Sequence, residues 1–255
     1  MYLRKGEFTV DDEEKEVAAF WDDFAASYIA AQRESQVPIV RDVIRTLRTQ
    51  LTDQIVLDVA AGAGRFALPF ASSAKRVILS DISENMLAYA SQMAAKQKLT
   101  NLSFRHESWS HLRRQQLLAD VVFVNMAPFL QADDLAALTR LARKLVIVNR
   151  VVQRKDVLLD DLLEGISDPS NELELMATYE KWLNANKIDY RQRVFHYAVH
   201  EQVERQEIWD SLVDELNFKQ QRLVLRRLEQ RFKLETVFEN TRYYDFKLIW
   251  WRRIR

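Results

Sequence analysis

The chain has 255 residues, 48% of them apolar, which is enough for one sizeable core, and its 37 basic side chains are balanced by 37 acidic ones. Zero formal charge removes any overall field toward nucleic acid or an anionic membrane. The absence of cysteine excludes disulfides, thiolate nucleophiles and cysteine-ligated zinc.

The first residues, MYLRKGEFTVDDEEKE, turn acidic and carry no apolar stretch, so they do not read as a signal peptide. No run approaches the ~18 apolar residues of a membrane span. The expectation is a cytoplasmic enzyme or binding protein with no membrane partner. Residues 11 to 34 predict a helix whose Phe20, Phe24 and Tyr28 share a face at four-residue spacing. A second helix opens at Pro38, proline being well placed in a first turn. Short apolar runs then alternate with helical patterns. IVLDVA, RVILSD, LSFRH, DVVFVN and LVIVNRV predict strands, and GRFALPFASS, ENMLAYASQMAAKQK and ADDLAALTRLARK predict helices between them. Such alternation predicts parallel βαβ units, hence an α/β open sheet with helices on both faces.

The alternation stops near residue 152. Residues 155 to 187 predict helix, broken around GISDPSN at Gly165 and Pro169. RQRVFHYAVHEQVE predicts a strand, and 205–217 and 220–232 predict two more helices. KLETVFEN and YYDFKLIWWRR read as a closing hairpin that adds an antiparallel edge. The expected organisation is a single domain over 1–255, with N-terminal helices over 1–50 and an insertion over 152–203.

Two of the four glycines, Gly62 and Gly64, fall in IVLDVAAGAGRFALPFA, where a buried strand enters a small-residue turn and then a helix. Small residues there let backbone approach a ligand, and N–H groups at a helix start bind polar atoms. Asp81, 19 residues after Gly62, ends the next strand, where a carboxylate can accept hydrogen bonds from ribose hydroxyls. Its alternative role is to cap the following helix, which Ser83 could also do. GAGRFA also satisfies the Gly-x-Gly-x-x-Ala dinucleotide fingerprint of dehydrogenases. Asp58, however, ends the first strand four residues before Gly62, and a carboxylate beside a diphosphate would be repelled. A sulfonium or amine fits better.

VLDVAAGAGRFALPFA, VILSDISENMLAYA and DVVFVNMAPFL, in that order over about residues 54–150, resemble class I S-adenosylmethionine-dependent methyltransferases. FWDDFAASY is similar to the lid helix of small-molecule members. The resemblance implies a doubly wound, seven-stranded, mostly parallel sheet with an antiparallel C-terminal strand, and S-adenosylmethionine as cofactor. It implies that Asp58, Ala60, Gly62 and Gly64 wrap the methionine portion, with Tyr28 of the lid beside them. It places Asp81 on the ribose, Ile82 and Met86 against adenine, and Ser108 and Trp109 at the adenine edge. Asn125 and Met126 would face the methionine or the acceptor. Two departures stand out: Ala60 replaces a usual glycine, and Ser108 stands where an adenine-binding acid is usual.

Methyl transfer needs alignment more than acid–base chemistry, and no sharp catalytic signature is present. NMAPF at 125–129 is similar to the Asn-Pro-Pro-aromatic motif of amino-methylating nucleic-acid enzymes, but the spacing is off by one residue. His196 and His200 share a face and are candidates for a general base. A metal would need a third ligand such as Glu201 or Glu204, so no metal is expected. Tyr179, Trp182, Tyr190, Phe195 and Tyr197 are candidate walls of an acceptor pocket. The basic run at 222–231 reads as a solvated helix face. An exposed Trp250–Trp251 pair would offer a homodimer contact. The reading is methyl transfer to a small molecule; nucleic-acid or protein methylation and non-catalytic cofactor binding are the rivals.

Overall fold

A computed structural model describes residues 12–34, 36–166, 172–233 and 235–253. The opening residues 1–11 and the expected break at Pro169 lie outside them. The strands are β1 (Ile55–Val59), β2 (Arg76–Asp81), β3 (Leu102–His106), β4 (Ala119–Asn125), β5 (Ala142–Asp156), β6 (Tyr190–Glu204) and β7 (Val237–Arg252). They form one seven-stranded sheet in the order β3-β2-β1-β4-β5-β7-β6. The chain divides into two compact units, Met1–Arg150 with Leu175–Val194 and Lys247–Arg255, and Val151–Glu174 with Phe195–Phe246. The second unit starts where the alternation stops, but it runs on to Phe246 and leaves out 175–194.

In the first unit β1 pairs in parallel with both β2 and β4, Val56 lying opposite Val77 on one side and Val121 on the other. β2 pairs in parallel with β3, and β4 with β5. The strands read as nearly unbroken β-branched and aliphatic runs because both faces are covered. Among the described residues the helices before β4 are α1 (Asp12–Glu34), α2 (Ile39–Leu51), α3 (Ala67–Phe70), α4 (Glu84–Lys96) and α5 (Trp109–Leu112). α2 buries Ile39, Val43, Leu47 and Leu51 at helical spacing. α3 is one turn long where a longer helix was expected. It ends at Ala71, and the Asn101 side chain takes up the Ala71 and Ala74 carbonyls at 2.9 and 3.0 Å, which satisfies groups that further helix would have used. α6 (Leu135–Leu141) follows β4, and α8 (Glu172–Ala185) also belongs mostly to this unit.

The second unit packs α7 (Val157–Leu162), α9 (Arg205–Leu212) and α10 (Phe218–Phe232) around Leu158, Leu162, Ile208, Leu212, Val224, Leu228 and Phe232. Here the expected closing hairpin is corrected. Residues 237–252 are one continuous strand, and its antiparallel partner is β6. His196 meets Asp245 and His200 meets Thr241, so numbers rise on one strand as they fall on the other. Trp251 is buried and donates its indole N–H to Thr139 at 3.0 Å. The tryptophan pair is therefore not an exposed surface of the kind that would offer a dimer contact.

Candidate functional site

Left-handed backbone builds the turn after β1. Ala60, Gly62 and Gly64 take φ of 54°, 52° and 80°, and the Ala61 N–H reaches the Ser80 carbonyl of β2 at 3.1 Å. Asp81, the last residue of β2, closes the arrangement. One carboxylate oxygen accepts the Gly62 N–H at 2.7 Å and the other accepts the Ser83 N–H at 2.9 Å. A carboxylate has about four acceptor positions, so capacity remains for a ligand. Burial raises the Asp81 carboxyl above its ordinary value, and these N–H bonds oppose the shift.

A cavity of about 780 Å³ lies at the carboxyl ends of β1, β2 and β4, where open parallel sheets place ligands. Ala60, Gly62, Asp81, Ile82 and Met86 line it. A side chain at Gly62 would begin only 4.0 Å from Met86 Sδ and from Tyr28 Cε1, so its absence leaves room that the cavity uses. α1 forms an opposing wall, with Ala25 packed on Ala63 and Met86, and Trp21 and Tyr28 against them. Farther along, Trp109 stacks on Phe129 at 5.4 Å and donates its indole N–H to Asp134 at 3.0 Å. Arg113 stands over the same ring and pairs with Asp134 at 3.0 Å. Phe20, Val17 and Phe129 also line the cavity, yet are 58%, 43% and 37% exposed. Asn125 and Met126 line it at the end of β4. The Asn149 amide donates to Asn125 Oδ1 at 2.8 Å, so Asn125 has its amide hydrogens to offer a ligand.

Nine of the expected contact residues thus line one cavity: Tyr28, Ala60, Gly62, Asp81, Ile82, Met86, Trp109, Asn125 and Met126. Asp58, Gly64 and Ser108 do not. Asp58 is 2% exposed and takes the Ala67 backbone N–H. Gly64 faces the packing between α3, β2 and α4, since a side chain there would meet Leu68 at 3.0 Å and Leu79 and Ala90 at 3.3 Å. Ser108 is the N-cap of α5. The acid at the end of β3 is its neighbour Glu107, which lines the cavity and is held by Arg105 and Gln115. It stands one residue before Ser108 in RHESW.

His196 and His200 do not line the cavity; they are exposed in the second unit, bonded to Asp245 and Thr241. Among the described residues no group of three potential metal ligands occurs. The aromatic walls also differ from the expectation. They come from α1 and from the segments after β3 and β4, whereas Tyr179, Trp182, Tyr190, Phe195 and Tyr197 do not line the cavity. Tyr179 is buried and donates to the Leu130 carbonyl at 2.5 Å, its phenol pushed up to about 12 chiefly by burial. Among the described residues no helix is long and apolar enough to cross a membrane.

Two results should follow from this geometry. Ala60 holds a left-handed φ of 54°, which costs a non-glycine residue about 1 kcal/mol or more. Glycine there loses part of that gain through greater unfolded-chain entropy. Ala60→Gly should still raise stability by about 0.5 kcal/mol. A lower denaturation midpoint for the variant would refute this. For Asp58, burial first and the Asp81 charge second raise the carboxyl well above the ordinary range. Its contribution to stability is full below the unfolded-state pKa and is lost as pH rises through the folded-state value. Asp58→Asn cannot ionise and keeps an acceptor for Ala67. It should gain in Tm relative to wild type as pH rises from about 4 to about 8; parallel Tm curves would contradict the sign.

Comparison with known proteins gives matches to sequence and to structure. A family model described as a methyltransferase domain matches residues 52–231. An uncharacterized protein of Haemophilus influenzae is 32% identical over 143 residues, 53% of this chain and 53% of that protein. The chain therefore spans about half the length of this curated relative. Magnesium protoporphyrin IX methyltransferase from Synechocystis PCC 6803, solved with bound SAH, aligns with a TM-score of 0.59 at 18% identity, over 94% of this chain and 99% of that one. The YcgJ protein of Bacillus subtilis gives 0.55 at 15% identity, over 85% and 98%. The 4+2 cyclase SpnF gives 0.55 at 13%, over 94% and 96%. At these identities the likeness is one of fold, and the cyclase underlines that the fold serves more than one reaction.

Proposed function

The chain belongs to the methyltransferase-domain family, whose model covers residues 52–231, and on that footing we propose that it binds S-adenosylmethionine in the 780 Å³ cavity and catalyses methyl transfer to an apolar small molecule. The observation that carries this reading is Asp81. It stands at the end of β2, is locked by the Gly62 and Ser83 N–H groups, and lines the cavity with acceptor positions to spare. Those positions suit ribose hydroxyls. Gly62 and Ala60 would lie along the methionine portion, and Ile82 and Met86 along adenine. Glu107 would take the adenine edge in place of Ser108. When bound, S-adenosylmethionine supplies an activated, electrophilic methyl group.

The chain's own part is to align an acceptor and exclude water. Asn125 would orient the acceptor through its amide hydrogens. Phe20, Val17 and Phe129 are apolar surface that an acceptor would cover, which favours an apolar body. The charges along the wall disfavour polyanions. Glu13, Glu14, Glu16, Asp81 and Glu107 are acidic, and among the described residues the one lysine or arginine lining it, Arg113, is paired with Asp134. That argues against nucleic acid and against the diphosphate of a dinucleotide, and it does so without Asp58.

The test uses S-adenosylmethionine labelled on its methyl group, incubated with the protein and an extract of the producing organism. Label should appear in the low-mass organic fraction. Label confined to RNA or protein would favour the macromolecular rival, and binding without transfer to any fraction would favour a non-catalytic domain.

A further inference from the structure

α1 supplies much of the cavity wall, and a cluster of hydrogen bonds at Asp22 joins it to the start of α4. Asp22 stands in α1 between Phe20 and Trp21 on one side and Tyr28 on the other, all three of which line the cavity. One Asp22 carboxylate oxygen accepts the Ser83 hydroxyl at 2.5 Å and the Asn85 backbone N–H at 3.0 Å. The Asn85 side-chain amide donates in turn to the Asp22 carbonyl at 3.2 Å.

Ser83 is wholly buried and serves three partners at once. Its N–H holds Asp81 at 2.9 Å, its oxygen accepts the Met86 N–H at 3.1 Å as the N-cap of α4, and its hydroxyl proton goes to Asp22. The same residue therefore orients the carboxylate assigned to ribose and ties down the helix opposite. From Val17 to Tyr28 the wall runs about 16 Å at 1.5 Å per residue, and the tie sits near its middle. Beside this tie α1 packs through apolar contacts, Ala25 on Ala63 and Met86 with Trp21 and Tyr28 against them. Phe20 and Phe24 stack on each other at 5.8 Å and stay 58% and 42% exposed. A helix held this way opens locally more easily than the sheet.

We propose that Asp22 is a positioning residue that latches α1 to the Ser83–Asn85 segment and so governs how fast an S-adenosyl ligand escapes. This rests on the reading of the cavity given above. Hydrogen bonds to an ionised group are among the stronger ones, so losing the pair should matter. Asparagine keeps the accepting oxygen and should largely preserve the latch.

The experiment measures dissociation of S-adenosylhomocysteine from wild type, Asp22→Ala and Asp22→Asn by stopped flow. Release should quicken by about 10-fold or more in Asp22→Ala and by no more than about threefold in Asp22→Asn. Hydrogen exchange in wild type should slow over residues 13–30 when the ligand is added, a readout that needs no variant to fold. Wild-type release from Asp22→Ala, equal acceleration in both variants, or exchange unchanged by ligand would each overturn the latch. A wild type that does not bind S-adenosylhomocysteine at all would instead overturn the cavity assignment on which the latch stands.

Discussion

Asp81→Ala should lose about 100-fold in affinity for S-adenosylhomocysteine and about 2–4 kcal/mol of stability at the same time. The two losses have separate causes. Affinity falls because the carboxylate positions meant for the ribose hydroxyls disappear, two charge-assisted bonds being worth roughly that factor. Stability falls because the Gly62 and Ser83 N–H groups, bonded to Asp81 at 2.7 and 2.9 Å, lose their acceptor. Asp81→Asn separates the effects, since one amide oxygen can still take one N–H. It should recover part of the stability while binding stays weak. Calorimetric titration and chemical denaturation of both variants check this. Wild-type affinity in Asp81→Ala would remove the ribose role.

Gly64→Ala should behave in the opposite way, costing about 2–5 kcal/mol of stability through left-handed strain and overpacking. The new methyl group would stand 3.0 Å from Leu68 Cγ and 3.3 Å from Leu79 Cδ2 and Ala90 Cβ, at a φ of 80°. None of these neighbours is a long, flexible side chain that could swing aside. Gly64 does not line the cavity, so whatever fraction of the variant folds should bind S-adenosylhomocysteine within a few-fold of wild type. Denaturant midpoints and titration at low temperature test both halves. A stable variant that has lost binding would return Gly64 to the ligand.

The contrast between these glycines marks where sequence reading stops. The strand-turn-helix pattern around Gly62 and Gly64 is local, so the turn and the parallel strands flanking it were legible from apolar runs and small residues. Which of the two glycines meets a ligand depends on what α4 and β2 place behind the turn, and that is tertiary. Asp81 was legible because its distance from Gly62 is fixed by one βα unit. Asp58 was misplaced because a residue at a strand end can lie on either side of the sheet's edge, and this one is buried against the start of α3. After β3 the cavity is lined by Glu107 and not by Ser108, since a step of one residue moves a side chain to the opposite face of an extended segment.

The C-terminal region failed for a different reason. Asn240 and Thr241 look like turn residues, but Asn240 is buried within β7. Its amide oxygen accepts the Leu158 N–H at 3.1 Å, and its NH2 donates to Asp156 at 3.0 Å and Glu201 at 3.3 Å. A side chain that caps a distant helix start gives no local signal. The cavity's aromatic walls were invisible for the same reason, since Phe20, Trp109 and Phe129 reach one cavity only through the packing of α1, α5 and the segment after β4.

The measurement that bears most directly on the account is a titration of the wild-type protein with S-adenosylhomocysteine, read as binding heat and as Tm. The account predicts saturable binding at one site. It also predicts that ligand at about 100 times Kd adds roughly 2.7 kcal/mol, or on the order of 5–10 °C in Tm, while NAD adds nothing. No heat and no shift at millimolar ligand, or a shift with NAD alone, would contradict it.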